Sequence, residues 1–448
     1  MTDGPLWTRR NWMMLAGAMA ANAENGVLFQ SPLPADINIT TVAELDERRL
    51  IAVGGGHEGV KPVTPKPFLS GDLGRTWQPG PAWMERGKPF EGMVHSMLRL
   101  RDGRLGLVFS RKEWMRTPSY AAPVRTWLFS TSGDNGTTWG EGVPIDMPAR
   151  YEDPENKESE NKGVFIAYPF GRMIQLSSGR LVVPCYWYMG GRHLEHHPGL
   201  RMEEGPSYAT VRGHRVKRIA DGHLYEAAMG GCFVYFSDDG KVWQRSTGSI
   251  MVWPLPGEGG VGGFGATWEP VVIELRDKRV LMFMRTNVGR IFQSFSKDGG
   301  LHWTPSEPAG LASGDVPCCL GRLPRSGHLM VIWNQSSAAE IRAGYSRGRL
   351  STAVSTDEGK SWGHFRTVAI SDGLGNIARV ETPPVQHVRA NRELGVLPDG
   401  YSRHHYPKLA FSQGKVLLLY YTGQVQPGGR FERWKPMVKA VEESWLLV

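Results

Sequence analysis

The sequence predicts an all-β chain folded as a six-bladed β-propeller, each blade a four-stranded antiparallel sheet. Two repeats running in step carry this expectation. The first is the phrase Ser70-Gly-Asp72-Leu-Gly74-Arg-Thr76-Trp77, which returns as Ser132-Gly-Asp134-Asn-Gly136-Thr-Thr138-Trp139. Looser copies are Asp238-Asp-Gly240-Lys-Val242-Trp243, Ser296-Lys-Asp298-Gly-Gly300-Leu-His302-Trp303 and Ser355-Thr-Asp357-Glu-Gly359-Lys-Ser361-Trp362. Their aspartates are 62, 104, 60 and 59 residues apart, a constant period with one insertion, and a fixed period of this size signals a repeat architecture. The second repeat is a hairpin signal, two apolar runs meeting at a tight polar turn. It occurs at 42–53, 97–109, 173–185, 271–284, 320–333 and 409–421. Each of the first five hairpins is followed by one box.

The phrase itself reads as a turn. Asp and Ser side chains bond the backbone N–H groups of the turn, Gly supplies a positive φ, and Trp returns to the core. A hairpin plus the box-linked strands after it gives four strands, and a ring of such units is a propeller. Such a ring closes when an N-terminal strand completes the last blade, and 26–30 is the candidate.

From the start, the chain shows Arg9-Arg10, an apolar run at 13–20 and Ala21-Asn22-Ala23. A basic region, a short apolar region and a small-residue site read as an export signal of twin-arginine type over 1–23. Residues 24–448 are then one propeller domain, exported to the periplasm or the medium. No other stretch has the roughly 18 apolar residues of a membrane span. Net charge is +8 with pI near 9.3, which favours acidic ligands. The basic residues are scattered, so a nucleic-acid partner is not expected. Cys185, Cys232, Cys318 and Cys319 lack C-x-x-C spacing, which argues against zinc. A Cys185–Cys232 disulfide and buried free thiols both fit. Two long segments, 151–162 with 193–221 and later 371–402, read as loops that could wall a cleft. The first holds His193, His196 and His197, read as solvated, so no metal is expected.

Chemistry in a propeller gathers where inner strands begin, around the axis. The residues just ahead of the hairpins are Asn38, His95, Arg172, Glu269, Asp315 and Tyr406. Arg111, Arg285 and Arg347 lie on or after neighbouring strands.

At these residues the chain resembles the sialidase (neuraminidase) superfamily, whose Asp boxes match the phrase above. The resemblance covers nearly the whole expected mature chain and is sharpest at Glu269-Pro-Val-Val-Ile-Glu274-Leu with Arg285 sixteen residues after Glu269. It implies that Tyr406 is the nucleophile, Glu269 its polarising base, and Arg285 and Arg347 two arginines of a carboxylate-binding triad. Two positions depart from the pattern. Asn38 stands where the triad's first arginine is expected, and Glu58 where the acid aspartate is expected. His57, His95, Arg111 and His405 complete the candidate substrate-binding set. The chemistry is coherent: guanidinium groups bind a sialic acid carboxylate through paired hydrogen bonds, and a neutral tyrosine avoids the repulsion a carboxylate nucleophile would meet.

The implied function is exo-hydrolysis of terminal sialic acid from glycoconjugates, with retention and no cofactor. Two alternatives stay open. One is an exo-hydrolase or lyase for another acidic or deoxy sugar, which Asn38 and the histidines would suit. The other is a non-catalytic glycan-binding propeller, since fold does not imply function. The expected partner is a glycan with an acidic terminal sugar.

Overall fold

A computed structural model describes residues 26–54, 64–116, 121–145, 166–189, 201–202, 208–211, 214–217, 229–252, 267–286, 288–343, 345, 347–383, 397–427 and 434–448. The expected export segment, His57, Glu58, the 151–162 stretch and His193, His196 and His197 lie outside the described residues.

Each hairpin expected from the sequence opens one sheet of an all-β propeller. The first sheet runs Ile37–Glu44, Leu50–Gly54, Lys66–Ser70 and Gln78–Pro79, and the second Met93–Arg99, Leu105–Arg116, Ala121–Ser132 and Val143–Pro144. In the third, Ile166–Pro169 and Ile174–Gln175 both pair with Leu181–Met189, followed by Met229–Ser237 and Gln244–Arg245. Thr267–Glu274, Val280–Thr286, Arg290–Ser296 and Glu307–Ala312 form the next. Cys319–Arg322, Leu329–Asn334, Arg349–Ser355 and Gly363–Ile370 follow. The last is Ser402–Ser412, Lys415–Gln424 and Lys435–Val441, completed by the N-terminal strand Val27–Pro32.

The expectation of six uniform four-stranded blades is corrected by this inventory. The third sheet has five strands, and two three-stranded sheets bring the described total to eight. One of these joins Met84–Glu85 and Lys88–Pro89 to Thr138–Trp139, with a parallel pairing; the other is Arg201–Met202, Tyr208–Val211 and His214–Lys217. Strands this short gave no apolar alternation to read in the sequence.

The core lies between neighbouring sheets. Leu409, Val416 and Leu418 pack against Met330, Ile332 and Leu350, while Leu417, Leu419 and Val438 pack against Ile37, Ile39 and Leu50. The second contact joins the last sheet to the first and closes the ring.

The boxes form the turns their sequence implied. Asp72 accepts from the Thr76 N–H at 2.8 Å and the Thr76 hydroxyl at 2.7 Å. Ser70 Oγ accepts from the Gly74 N–H at 2.9 Å, and Trp77 Nε1 donates to the Gly74 carbonyl at 2.9 Å. Gly74 has φ 81°, which a side chain would oppose. The third box is one residue tighter, and its capping residue is Asp239, which accepts from the Lys241 and Val242 N–H groups. Asp238 instead pairs with Arg180. Each box follows the last strand but one of its sheet, so all five lie at the turn end of their sheets.

The cysteines form no disulfide. Cys185 stands opposite Phe233 and Cys232 opposite Tyr186, an offset of one residue that sends the two side chains to opposite faces. They belong to different core clusters, and all four cysteines are free and buried. The disulfide alternative is thereby excluded by register. Among the described residues, no helix is long and apolar enough to cross a membrane.

Candidate active site

Two strands carry the same local device. Thr267–Glu274 loses register with its partner between Trp268 and Val271, and Ser402–Ser412 does so between His405 and Lys408. Within each break a non-glycine residue precedes proline: Glu269-Pro270 and Tyr406-Pro407. Proline cannot donate to the ladder, so a strand accepts it at a bulge. Glu269 and Tyr406 take φ of 43° and 48°, and Arg347 takes 65°. Each such residue costs on the order of 1–3 kcal/mol, and strain of this kind clusters at functional sites. A bulge also re-aims a side chain, and the two bulges bring Glu269 and Tyr406 together beside Arg347, which precedes the strand Arg349–Ser355.

Arg285 faces Trp268 across the ladder. It donates from Nη1 to Glu269 Oε2 at 2.5 Å and from Nε to Asp315 Oδ1 at 2.7 Å. The hydroxyl of Tyr406 lies 3.4 Å from Glu269 Oε1. Arg347 donates from Nη1 to His405 Nδ1, and its guanidinium lies 5.4 Å from the Tyr406 ring centre. The His405 and Tyr406 rings are parallel within 8° at 5.8 Å. The backbone is stitched behind them: the His404 N–H donates to the Arg347 carbonyl at 2.8 Å. The buried Asn334 amide donates to the carbonyls of Arg347, Arg349 and His404.

The electrostatics follow from these contacts. The negative charge of Glu269, then burial, raise the Tyr406 pKa, while Arg347 and Arg285 pull it down. The phenol therefore stays protonated near neutrality and needs a base before it can attack. Burial works against the charge on Arg285, but Asp315 and Glu269 outweigh it and hold its pKa well above the usual value. Burial, and then the charge of Arg347, push the His405 pKa far down, so its ring is neutral.

Of the residues singled out from sequence, Glu269, Arg285, Asp315, Arg347, His405 and Tyr406 are brought together. Asn38 accepts from the Thr40 N–H and hydroxyl at 3.0 and 2.7 Å and from the Tyr421 hydroxyl at 3.4 Å; Tyr421 is the ladder partner of His405. His95 bonds Ser110 at 2.9 Å and packs on Trp127. Arg111 turns to Glu85 and the Glu91 carbonyl and lies over Phe109, so its bonds are not to the Tyr406 cluster. Arg172 is paired with Glu44. Asn334 was missed, and its only signal is a polar residue ending the apolar run Leu329–Asn334. A cavity of about 770 Å³ opens at the opposite, turn end beside Glu44, Asp46, Arg99 and Gln413, away from this cluster. Among the described residues no group of three or more His, Cys, Asp or Glu is placed to hold a metal.

With this geometry in hand, comparison with known proteins places the chain. None of the curated proteins matches it. A protein of unknown function from Dyadobacter fermentans superposes with a TM-score of 0.53 at 14% identity, over 93% of this chain and 98% of the other. A mutant NanB sialidase from Streptococcus pneumoniae superposes at 0.50 and 12%, over 94% and 71%. A Trypanosoma rangeli sialidase in complex with sialic acid gives 0.49 and 13%; the chain covers 55% of its length. At these identities the first two likenesses speak to the fold alone, and the third carries no weight. Residues 119–418 match the BNR repeat-like domain, about two thirds of the sequence. The chain belongs to the BNR repeat-like family, with a sialidase-like propeller.

Proposed function

We propose that the chain is a retaining exo-glycosidase that removes a terminal sialic acid from glycoconjugates. The observation that carries the reading is the Tyr406 hydroxyl 3.4 Å from a Glu269 carboxylate oxygen, beside Arg285 and Arg347. In this reading Glu269 takes the phenol proton while the Tyr406 oxygen bonds to the anomeric carbon. The bond from that carbon to the leaving oxygen breaks, and the leaving oxygen receives a proton from Glu58. Water then displaces Tyr406, giving a proton back to Glu58, and the departing phenolate recovers its proton from Glu269. Sialidases are the established case of a tyrosine nucleophile, and the substrate's own negative charge gives the reason.

The histidine-based alternative has less support. The Nδ1 lone pair of His405 is engaged by Arg347, and its Nε2 is buried, so the ring offers a substrate no free base. A non-catalytic glycan binder would bind sialosides without turning them over. The deciding experiment is hydrolysis of a fluorogenic aryl sialoside. Tyr406→Phe keeps the ring and removes the nucleophile, so turnover should fall about a thousand-fold or more with an unchanged circular dichroism spectrum. Near-normal turnover in that variant would refute the reading.

The export signal belongs to the same proposal. Cleavage after Ala23 makes Glu24 the first residue of exported protein, and N-terminal sequencing reads this directly. An intact Met1 on active exported protein would overturn it.

A further inference from the structure

The two arginines of the site are held in opposite ways. A guanidinium offers a carboxylate two paired-donor edges, one through Nε and one Nη, the other through both Nη atoms. On Arg285 the first edge has already given Nε to Asp315 and the second has given Nη1 to Glu269. Neither edge is left to form a fork with a third carboxylate. Its charge is also matched by two carboxylates, all three side chains being at most 17% exposed.

Arg347 shows the reverse. Among the described residues no carboxylate pairs with it; its Nη1 donates to a ring nitrogen of His405, which engages one of its two edges. Accepting that N–H puts the His405 proton on Nε2 and leaves the imidazole uncharged. The ring is fixed where it stands, 7% exposed, parallel to Tyr406, with Trp434 edge-on at 3.4 Å. A neutral acceptor orients a guanidinium without cancelling its charge. The position where a third cation is expected holds Asn38, whose carbonyl oxygen is engaged by Thr40 and Tyr421.

We propose that Arg347, oriented by a neutral His405, is the anion seat of this pocket, and that Arg285 is a clamp for Glu269 rather than a second seat. His405 is then a positioning residue for substrate charge. This rests on the proposed function, in that the ligand is a sugar acid, and departs from the equal roles the resemblance implies for the two arginines.

The test compares the affinity of the mature chain for the 2,3-unsaturated glycal of sialic acid with that for its methyl ester. The ratio reports recognition of the carboxylate alone, and it is unmoved by a fraction of misfolded protein. Wild type should prefer the acid by about 10- to 100-fold. Arg347→Lys keeps the charge but loses the fork, and should cut that preference about ten-fold. Arg285→Lys should leave the preference within about three-fold while slowing turnover. His405→Asn keeps a neutral acceptor and should retain the preference; the isosteric His405→Asp places a carboxylate on Arg347 and should abolish it. Equal loss in the two lysine variants, or an undiminished acid preference in His405→Asp, overturns the inference while leaving the glycosidase reading standing. If neither form binds and no sialoside is hydrolysed, the proposed function falls and takes the inference with it.

Discussion

A buried histidine changes how a protein meets acid. His404 is 6% exposed, bonds the Thr422 hydroxyl at 3.1 Å through Nδ1, and has no partner at Nε2. Burial lowers its pKa to about 4, against about 6.5 in an unfolded chain. The folded state therefore resists a proton that the unfolded state accepts. The stability from keeping this ring neutral is whole above pH 6.5 and is lost as pH falls towards 4. A gap of this size is worth on the order of 3 kcal/mol, and His405 shifts in the same direction. The box aspartates act elsewhere: Asp298, held near 2, titrates in the unfolded chain near 3.9. Urea unfolding should thus show stability falling between pH 6.5 and 4.5, less steeply in His404→Gln. A wild-type profile flat across that interval would sink the idea. At this scale Glu269 and Tyr406 were legible, because each sits in a short sequence frame. Asp315 was visible as a position but not as the partner of Arg285, since the 30 residues between them carry no pattern that fixes their approach.

For a single element, the box is the most readable piece of this chain and also where the reading slipped by one residue. Asp134 accepts from the Thr138 N–H at 2.8 Å and from its hydroxyl at 2.6 Å. Ser132 also donates to it, at 2.8 Å. Asp134→Ala removes all three bonds and should cost about 1–2 kcal/mol, as loss of a capping residue does. In the third box the sequence offers two adjacent aspartates, and periodicity cannot choose between them. The turn chooses Asp239, which accepts from two backbone N–H groups and from the Ser237 hydroxyl. Asp238 makes a two-pronged pair with Arg180 that is open to solvent on the aspartate side, worth at most about 1 kcal/mol and outside the turn. Thermal unfolding should therefore show Asp239→Ala melting clearly lower than Asp238→Ala; the opposite order would show that the turn is capped differently. The bulges were harder to foresee. Glu-Pro and Tyr-Pro inside apolar strands argue locally against a strand, and only the ladder on either side shows a strand that bends and continues.

For the whole molecule, a propeller was legible because a hairpin with two apolar faces has to meet a neighbour on each side, and hairpins at a regular spacing supply those neighbours in turn. The additional three-stranded sheets were not legible, being built from strands as short as two residues. Closure of the ring makes the last testable claim. The strand Val27–Pro32 pairs along Lys435–Val441, from Val27 opposite Val441 to Pro32 opposite Met437. Flanking bonds run from the Leu33 N–H to the Pro436 carbonyl and from the Glu442 N–H to the Gly26 carbonyl, both 2.8 Å. Phe29 and Leu33 pack in the cluster that joins the last sheet to the first, and Val27 packs beside Trp445 and Leu446. Without these residues Lys435–Val441 becomes an open edge, a template for pairing with other chains. The same sheet carries His405 and Tyr406, so the loss should reach the candidate active site. A chain starting at residue 34 should melt about 5 °C or more below one starting at residue 24, given the loss of the buried Leu33, the half-buried Val27 and Phe29 and a whole row of ladder bonds. It should also aggregate more readily and, under the proposed function, turn over sialoside more slowly. A synthetic peptide of residues 26–33 can occupy the vacated edge by strand addition, so adding it should restore part of the melting temperature and of the turnover. A truncated chain that melts with the full-length one, and ignores the peptide, would mean that the ring is held shut by its side-chain cores and not by this strand.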